Sequence, residues 1–143
     1  MTESSISLEI LQEVTRIANS TLDLDETLQK IIQVIKNKMH MDACAIYLLD
    51  EADGLLHLKA SMGLPDKAEH INLEMGRGIT GWVAQEGTAL ALSEAMQDPR
   101  FVYFPEIEEE KFHSMLSVPI LAECPALGVI NVHSIEKRTF SIE

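Results

Sequence analysis

The sequence is poor in cysteine, in basic residues and in long apolar runs, and each shortage argues against a class of protein. Two cysteines among 143 residues are too few for a disulfide scaffold or a cysteine-rich metal module. Lysine and arginine total 11 against 23 acidic residues, and the net charge of −12 opposes binding to nucleic acid or to an anionic membrane. No apolar run reaches the length of a membrane span, and residues 2–5 are too polar for a signal peptide. We therefore expect a cytoplasmic protein with no nucleic-acid and no membrane partner.

Apolar residues make up 46% of the chain, which is enough for a packed core. A chain of 143 residues can bury such a core without disulfides or metal ions, so we interpret residues 1–143 as a single domain. The two cysteines, Cys44 and Cys124, lie among apolar residues and have no metal-binding spacing. We expect both to be reduced thiols that are at least half-buried, and we predict no cofactor and no metal site.

Two adjacent strands dominate the predicted fold. Residues Ser114–Leu121 and Leu127–Ser134 are apolar at both parities and flank a short turn at residues 123–125. A strand pair that is apolar on both faces is predicted to lie in the middle of a sheet, with a layer packed above and below it. One layer can be helices, whereas the other must be a cap of loops or a ligand.

The rest of the chain supplies those layers. Apolar residues recur at helical spacing over residues 6–20 and again from a predicted N-cap, Asp25, to Met39. Strand patterns bounded by turn residues cover residues 43–49, 55–61 and 89–93, with a weaker one at 72–73. The pattern predicts an α+β fold in which the helices pack on one face of the sheet.

Residues 76–81 form a glycine-rich turn that leads into a predicted short helix. Thr80 is expected to cap this helix at its N-terminus and Gly87 to end it. Such a turn can bind an anion, and its glycine spacing matches a dinucleotide-binding pattern. No strand of a β-α-β unit leads into the turn, so that interpretation is disfavoured. We expect Trp82, the only tryptophan, to fill a gap between the helix and the sheet.

The connection over residues 93–112 is both aromatic and acidic. It contains the aromatic residues Phe101, Tyr103, Phe104 and Phe112 and the glutamates Glu106, Glu108, Glu109 and Glu110. A long loop of this composition is predicted to fold back on an apolar surface, and the free face of the central strands is the obvious target. We interpret the glutamate run as a solvated face.

Together these segments resemble the GAF domain family. The matching order is two helices, a strand hairpin, and then residues 78–84, 98–101, 114–120 and 128–132. The resemblance spans nearly the whole chain, and its most specific part is the closing strand pair. Within the family, the chain is most similar to the N-terminal GAF domain of nitrogen-related phosphoenolpyruvate-protein phosphotransferases. The residues that carry this finer resemblance are 44–50, 98–105, 109–112 and 138–140.

The resemblance implies a central antiparallel sheet with the N-terminal helices on one face. On the other face it implies a cap of loops and a short helix over a small-molecule pocket. It also implies that the strand after the second helix pairs with residues 127–134, that Tyr47 faces the pocket, and that a final helix begins at Phe140. We therefore predict a pocket lined by Tyr47, Trp82, Phe101, Phe104, Phe112, Ser114, Leu116 and Val118.

Members of the family are mostly regulatory inputs, so the resemblance implies a sensory domain that is not itself an enzyme. It would bind a small-molecule effector, or act as a signalling and dimerisation module, for a downstream phosphotransferase. One alternative is the input domain of a sensor kinase or transcriptional regulator, and another is a structural domain whose pocket is filled by its own side chains. A thiol-dependent reductase on this fold would need a cysteine of low pKa, which the apolar surroundings of Cys44 oppose. The strand histidines His113 and His133 are interpreted as structural residues.

Two further expectations concern partners. Both N-terminal helices carry apolar stripes, so we predict a homodimer formed largely through residues 6–39. The only basic residues near the presumed cap are Arg77, Arg100 and Lys111, and six acidic residues lie among them. Because phosphates need cations or helix N-termini, we expect a small neutral or apolar ligand and not a nucleotide.

Overall fold

The computed structural model describes residues 2–6, 8–11, 13–14, 24–121 and 124–142. Within them the strands are β1 (Thr2–Ile6), β2 (Ala43–Asp50), β3 (Leu55–Met62), β4 (Asn72–Glu74), β5 (Leu90–Leu92), β6 (Ser114–Ile120), β7 (Gly128–Ser134) and β8 (Arg138–Ile142). The longer helices are α1 (Leu24–Met39) and α2 (Gly78–Glu86), and residues 8–11 and 13–14 are also helical. Short 3₁₀ turns cover Asp66–Ala68, Ala95–Gln97 and Glu109–Lys111. No helix in these ranges is long and apolar enough to cross a membrane.

Six strands form one antiparallel sheet in the order β4-β3-β2-β7-β6-β5. The predicted pair is present, because β6 lies antiparallel to β7 with Ser114 opposite Ser134. The strand that follows α1 pairs with β7, as the family resemblance implies, and places Ala43 opposite His133. The α+β class and the antiparallel sheet predicted from the sequence are therefore confirmed.

Strand alternation divides the apolar residues between two cores, one on each face of the sheet. The helix-side core comprises Leu28, Ile31, Ile32, Ile35 and Met39 of α1 with Met41, Cys44, Ile46, Ala60, Leu116 and Val132. The cap-side core comprises Ala45, Tyr47, Leu56, Leu73, Met115 and Val129 of the sheet with Ala68, Ile71, Ile79, Val83, Ala84, Ala95 and Ile107. Each large side chain in these cores contributes roughly 2 kcal/mol of transfer free energy. The sheet is covered on both faces, as its sequence predicts.

The predicted helix at Phe140 is wrong, because residues Arg138–Ile142 form a strand. β8 pairs in parallel with β1, which places Ser4 opposite Phe140. Thr139 and Phe140 belong to residue types that favour strands, and Phe140 packs against the helix-side core. Ile6, predicted to begin the first helix, is the last residue of β1. The remainder of that predicted helix is helical at 8–11 and 13–14 and otherwise lies outside the described residues.

Arg138 ties the start of β8 to the C-terminal end of α1. Its guanidinium donates to the carbonyl oxygens of Met39 at 3.3 Å and His40 at 3.1 Å, which the helix leaves without an intrahelical partner. At the other end of α1, Asp25 is not the cap, because it lies inside the helix. Asp25 lies in the first turn, where its charge still stabilises the positive end of the helix dipole.

Candidate functional site

The face of β2 predicted to carry Tyr47 does lie beneath the cap. Ala45 and Tyr47 belong to the cap-side core, whereas Cys44 and Ile46 belong to the helix-side core. Tyr47 is almost completely buried, and burial together with the charge of Glu109 raises the pKa of its hydroxyl above the ordinary value. The tyrosine therefore stays neutral at physiological pH.

Leu116 and Val118, predicted to line the same pocket, lie on the other face of the sheet. Both pack in or against the helix-side core. The error has a geometric cause, because β7 separates β6 from β2 and the register across β7 decides which residues share a face. Ala45 is aligned through Asn131 with Ser117, so β6 turns Ser117 towards the cap and Leu116 away from it.

Ser114 is buried, and its hydroxyl is hydrogen-bonded within the protein. Its hydroxyl donates to the carbonyl oxygen of Ser93 at 2.7 Å and accepts a hydrogen bond from the backbone N–H of Arg138 at 2.7 Å. These two hydrogen bonds link the start of β6 to Ser93, directly after β5, and to Arg138, the first residue of β8. The hydroxyl thus has both a donor and an acceptor partner within the protein.

The predicted aromatic residues of the cap occupy the space above the sheet. Trp82, Phe101 and Phe104 are half-buried and pack against the cap-side core. The guanidinium of Arg100 lies 4.5 Å from the centroid of the Trp82 ring, a cation–π contact. Phe112 is buried, with its ring centroid 4.9 Å from that of His133. The cap is therefore filled largely by its own aromatic side chains.

A buried polar cluster, which was not predicted from the sequence, lies between α2 and the sheet. The Asn131 side-chain amide donates to the Thr80 hydroxyl at 2.8 Å. Thr80 was expected to cap α2, but the helix already begins at Gly78 with Arg77 as its N-cap residue. The other end of α2 matches the prediction, since Gly87 adopts the left-handed conformation and its N–H bonds to the oxygen of Val83.

Two atoms of this cluster have no hydrogen-bond partner in the described part of the chain: Asn131 Oδ1 and Ser117 Oγ. Both residues are at most 2% exposed. A buried polar atom without a partner costs about 1–3 kcal/mol, so such atoms are uncommon unless water or a ligand satisfies them. The available sequence signal was the hydroxyl of Ser117 and the amide of Asn131, two polar side chains in the interior of mostly apolar strands.

Glu109 departs from the predicted solvated face of the connection. It is only 8% exposed, and burial, with a smaller contribution from Glu110, raises the pKa of its carboxyl to about 8. The residue before it, Glu108, has a φ of 55°, a left-handed conformation that is uncommon outside glycine. Glu108 itself stays at the surface and pairs with Lys67 at 2.8 Å and with Lys111.

The cations near the cap already have carboxylate partners. Arg100 forms two side-chain hydrogen bonds of 2.8 Å with Asp98. Arg77 lies 3.6 Å from Glu74, and Lys111 is paired with Glu108. A phosphate entering the cap would have to compete with these acidic partners, and the exclusion of a nucleotide ligand stays a prediction.

The cysteines and histidines give little support to redox or metal chemistry. Cys44 is buried, and desolvation raises the pKa of its thiol to about 12, so it is a poor nucleophile. Cys124 was expected to be at least half-buried but is exposed; its thiol donates to the oxygen of Gln85 at 3.2 Å. His133 is buried, and desolvation lowers its pKa to about 4, which fits the predicted structural role. His113 is exposed and lies 3.2 Å from Glu94.

In the described ranges, one group of three neighbouring side chains consists of residue types that can bind a metal ion. Asp50, Asp53 and His57 place three ligand atoms within 4.8 Å of one another at the β2–β3 turn. Each aspartate also accepts a backbone N–H within the turn, Asp50 from Ala52 and Asp53 from Leu55. The group is far along the chain from the cap residues and is explained by the turn itself.

Comparison with known proteins gives a consistent result. A family model described as GAF domain matches residues 23–143. Among curated proteins, a Nif-specific regulatory protein of Azospirillum lipoferum is 31% identical over 141 residues, covering 94% of this chain and 22% of the relative. A phosphoenolpyruvate-dependent phosphotransferase system protein of Escherichia coli K12 is 30% identical over 112 residues, covering 78% of this chain and 15% of the relative. The chain thus spans about a fifth or less of the length of these relatives.

Solved structures show the same relationship. The GAF domain of a phosphoenolpyruvate-protein phosphotransferase from Coxiella burnetii matches with a TM-score of 0.80 and 27% identity, covering 94% of this chain and 80% of that one. The corresponding domain from Acinetobacter matches with a TM-score of 0.80, 31% identity and the same coverage. A free methionine-R-sulfoxide reductase from Neisseria meningitidis, solved with its substrate, shares the fold at 19% identity with a TM-score of 0.72, covering 90% of this chain and 72% of that one.

Proposed function

Because the chain belongs to the GAF domain family, we propose that residues 1–143 form a regulatory input domain that binds a small neutral molecule beneath the cap. The domain signals to an effector domain elsewhere in a longer polypeptide. The observation that carries this proposal is the pair of unpartnered buried atoms, Ser117 Oγ and Asn131 Oδ1. A ligand satisfies both when it offers one N–H or O–H donor to the amide oxygen and a hydroxyl or carbonyl to the serine.

Binding and signalling are coupled because the cap is already filled. The aromatic side chains of the connection, with α2, pack over the polar cluster, so a ligand enters only if these elements move outward. A ligand that binds the open arrangement better shifts the population towards it. The displaced connection, residues 93–112, is then the part of the domain that an effector detects.

The effector in this proposal is a phosphotransferase, in line with the two GAF domains of TM-score 0.80. A transcriptional regulator is the second candidate, because the Nif-specific regulatory protein matches over 94% of the chain. The homodimer through residues 6–39 stays a prediction. It is supported by the exposure of Leu8, Leu11 and Leu24, and light scattering that gives a monomer would oppose it.

Isothermal titration tests the ligand class. Cyclic AMP, cyclic GMP and ATP are expected to give no specific heat, since the cap cations are paired with acids. A thermal-shift screen of neutral, hydrogen-bonding metabolites is expected to find a compound that raises the melting temperature, since ligand binding to the folded state stabilises it. Micromolar binding of any of the three nucleotides would contradict the proposal, as would stabilisation by charged compounds alone.

A further inference from the structure

A cleft of about 320 Å³ lies beside the outer edge of the sheet, away from the cap-side polar cluster. One wall is residues 58–62 of β3, the other is residues 63–66 and 69 of the following loop, and Gln29 of α1 stands at one end. The wall formed by β3 is a strand edge and not a sheet face. The cleft therefore offers backbone hydrogen-bonding groups as well as side chains.

The backbone of β3 is paired along one side only at this cleft. On the side of β2 it is paired from Leu55 to Met62, but β4 reaches only Leu55–His57, with one further bond from the Leu58 N–H to the Ile71 oxygen at 3.4 Å. Beyond that point, Lys59–Met62 has no strand partner on its outer side within the described residues. Such an edge is a ready template for pairing with another strand.

The loop after β3 explains why the edge stays open. Gly63 has a φ of 83°, and a side chain there would lie 2.2 Å from the oxygen of Asp42, so the chain turns sharply away from β3 at this point. It then crosses to the cap side, where Leu64 and Ala68 pack against or within the cap-side core. The loop meets β3 again only at Ile71, and the gap between the two is the cleft.

We propose that this cleft binds an extended basic peptide segment of a partner protein, which adds to β3 as a further strand. The open backbone edge of Lys59–Met62 spans about 13 Å and accommodates roughly four extended residues. Half-buried Leu58 and Met62 provide apolar contacts on alternate sides of the strand. The opposite wall carries the exposed acids Asp66 and Glu69, which complement lysine or arginine in the segment.

A second copy of this chain fits the edge less well than a basic peptide. Lys59 is the extra residue of a bulge between β2 and β3 and is exposed at this edge. Lysines and bulges at a strand edge oppose pairing of identical edges, and each copy would also bring a charge of −12 to the other. A separate basic segment meets only one bulge and one Lys59 instead of two of each, and the net negative charge of the domain attracts it.

NMR titration with a capped pentapeptide of alternating valine and lysine tests this proposal. Amide shifts are expected to concentrate at residues 58–66 and to saturate below about 1 mM peptide. Control peptides accompany it. Two of them are N-methylated at alternate amides, one at the odd-numbered and one at the even-numbered positions. The third has glutamate in place of lysine. At least one N-methylated form is expected to bind about tenfold more weakly, because backbone donors are lost.

Matched protein variants distinguish the effect of charge in the cleft from a general effect of charge on the protein. Replacing Asp66→Asn and Glu69→Gln together is expected to weaken binding several-fold and to flatten its salt dependence. Replacing Glu51→Gln and Glu86→Gln removes the same charge from exposed sites outside the cleft and should leave binding nearly unchanged. Shifts outside the cleft, equal affinity of both N-methylated peptides, or no binding up to about 1 mM would overturn the proposal.

Discussion

Replacing Glu109 with glutamine is expected to abolish a loss of stability that the wild-type protein shows between pH 6.5 and 8. Burial raises the pKa of the Glu109 carboxyl from 4.5 to about 8. Between these two values the folded state keeps a proton that the unfolded state releases. The free energy of unfolding therefore falls as the pH rises, by about 1.4 kcal/mol per pH unit.

His133 has the opposite effect at lower pH. Desolvation lowers its pKa from 6.5 to about 4, so between these values the unfolded state holds a proton that the folded state lacks. Stability therefore falls as the pH drops below 6.5. From about pH 4.5 to 6.5 the two groups nearly cancel, and above 6.5 the slope from Glu109 is left alone.

Urea unfolding at several pH values measures this dependence. The wild-type free energy of unfolding should decline from pH 6.5 to 8, whereas that of Glu109→Gln should stay nearly flat and exceed wild type at pH 8 by roughly several kcal/mol. Glu106→Gln is the matched control, because it removes the same charge from an exposed position of the same connection. A flat wild-type profile would mean that Glu109 is not buried in solution.

Replacing Gly128 with alanine is expected to destabilise the fold by about 3 kcal/mol, because the middle of the sheet has no room for a side chain there. A Cβ atom at this position would lie 2.3 Å from the carbonyl oxygen of Tyr47 and 2.9 Å from Leu48 Cδ2. Gly128 is paired with Leu48, so the clash falls on the β2–β7 ladder that positions Tyr47.

Thermal or urea unfolding measures the effect, with Gly54→Ala as the control. Gly54 lies in the β2–β3 turn, where a Cβ atom would meet nothing within 4 Å. Its φ of 73° leaves a conformational cost of about 1 kcal/mol but no steric clash. Equal losses in the two variants would show that β2 and β7 are not as closely apposed as described.

The sequence predicts the strands well because their signal is local. Alternating apolar residues and turn residues were sufficient to place β2, β3, β6 and β7 within a residue or two, whereas the assignment of Tyr47 to the cap face came from the family resemblance. Leu116 and Val118 were assigned to the wrong face because that assignment depends on register across β7, a relation between distant segments. The strand Arg138–Ile142 was missed for a similar reason, since its partner is at the opposite end of the chain.

The candidate site was predicted less completely than the fold. The aromatic composition of residues 93–112 predicted that this connection folds back on the sheet, but it left open whether its side chains fill the pocket. The polar atoms beneath the cap were not predicted, because Asn131 and Ser117 have no periodic signal and matter through burial alone. Glu109 was likewise indistinguishable in the sequence from the exposed glutamates beside it, and only the left-handed turn at Glu108 sets it apart.

The most direct test of a ligand site under the cap compares two buried serines. Ser117 Oγ has no hydrogen-bond partner among the described residues, whereas the hydroxyl of Ser134 donates to the oxygen of Glu136 at 2.7 Å. Without ligand, Ser117→Ala should unfold at equal or higher urea than wild type, and Ser134→Ala should lose about 1 kcal/mol. Ser117→Ala should also lose the stabilisation given by any compound found in the metabolite screen. If Ser117→Ala instead destabilises the protein as much as Ser134→Ala, the hydroxyl is already satisfied within the fold and the proposed ligand site is contradicted.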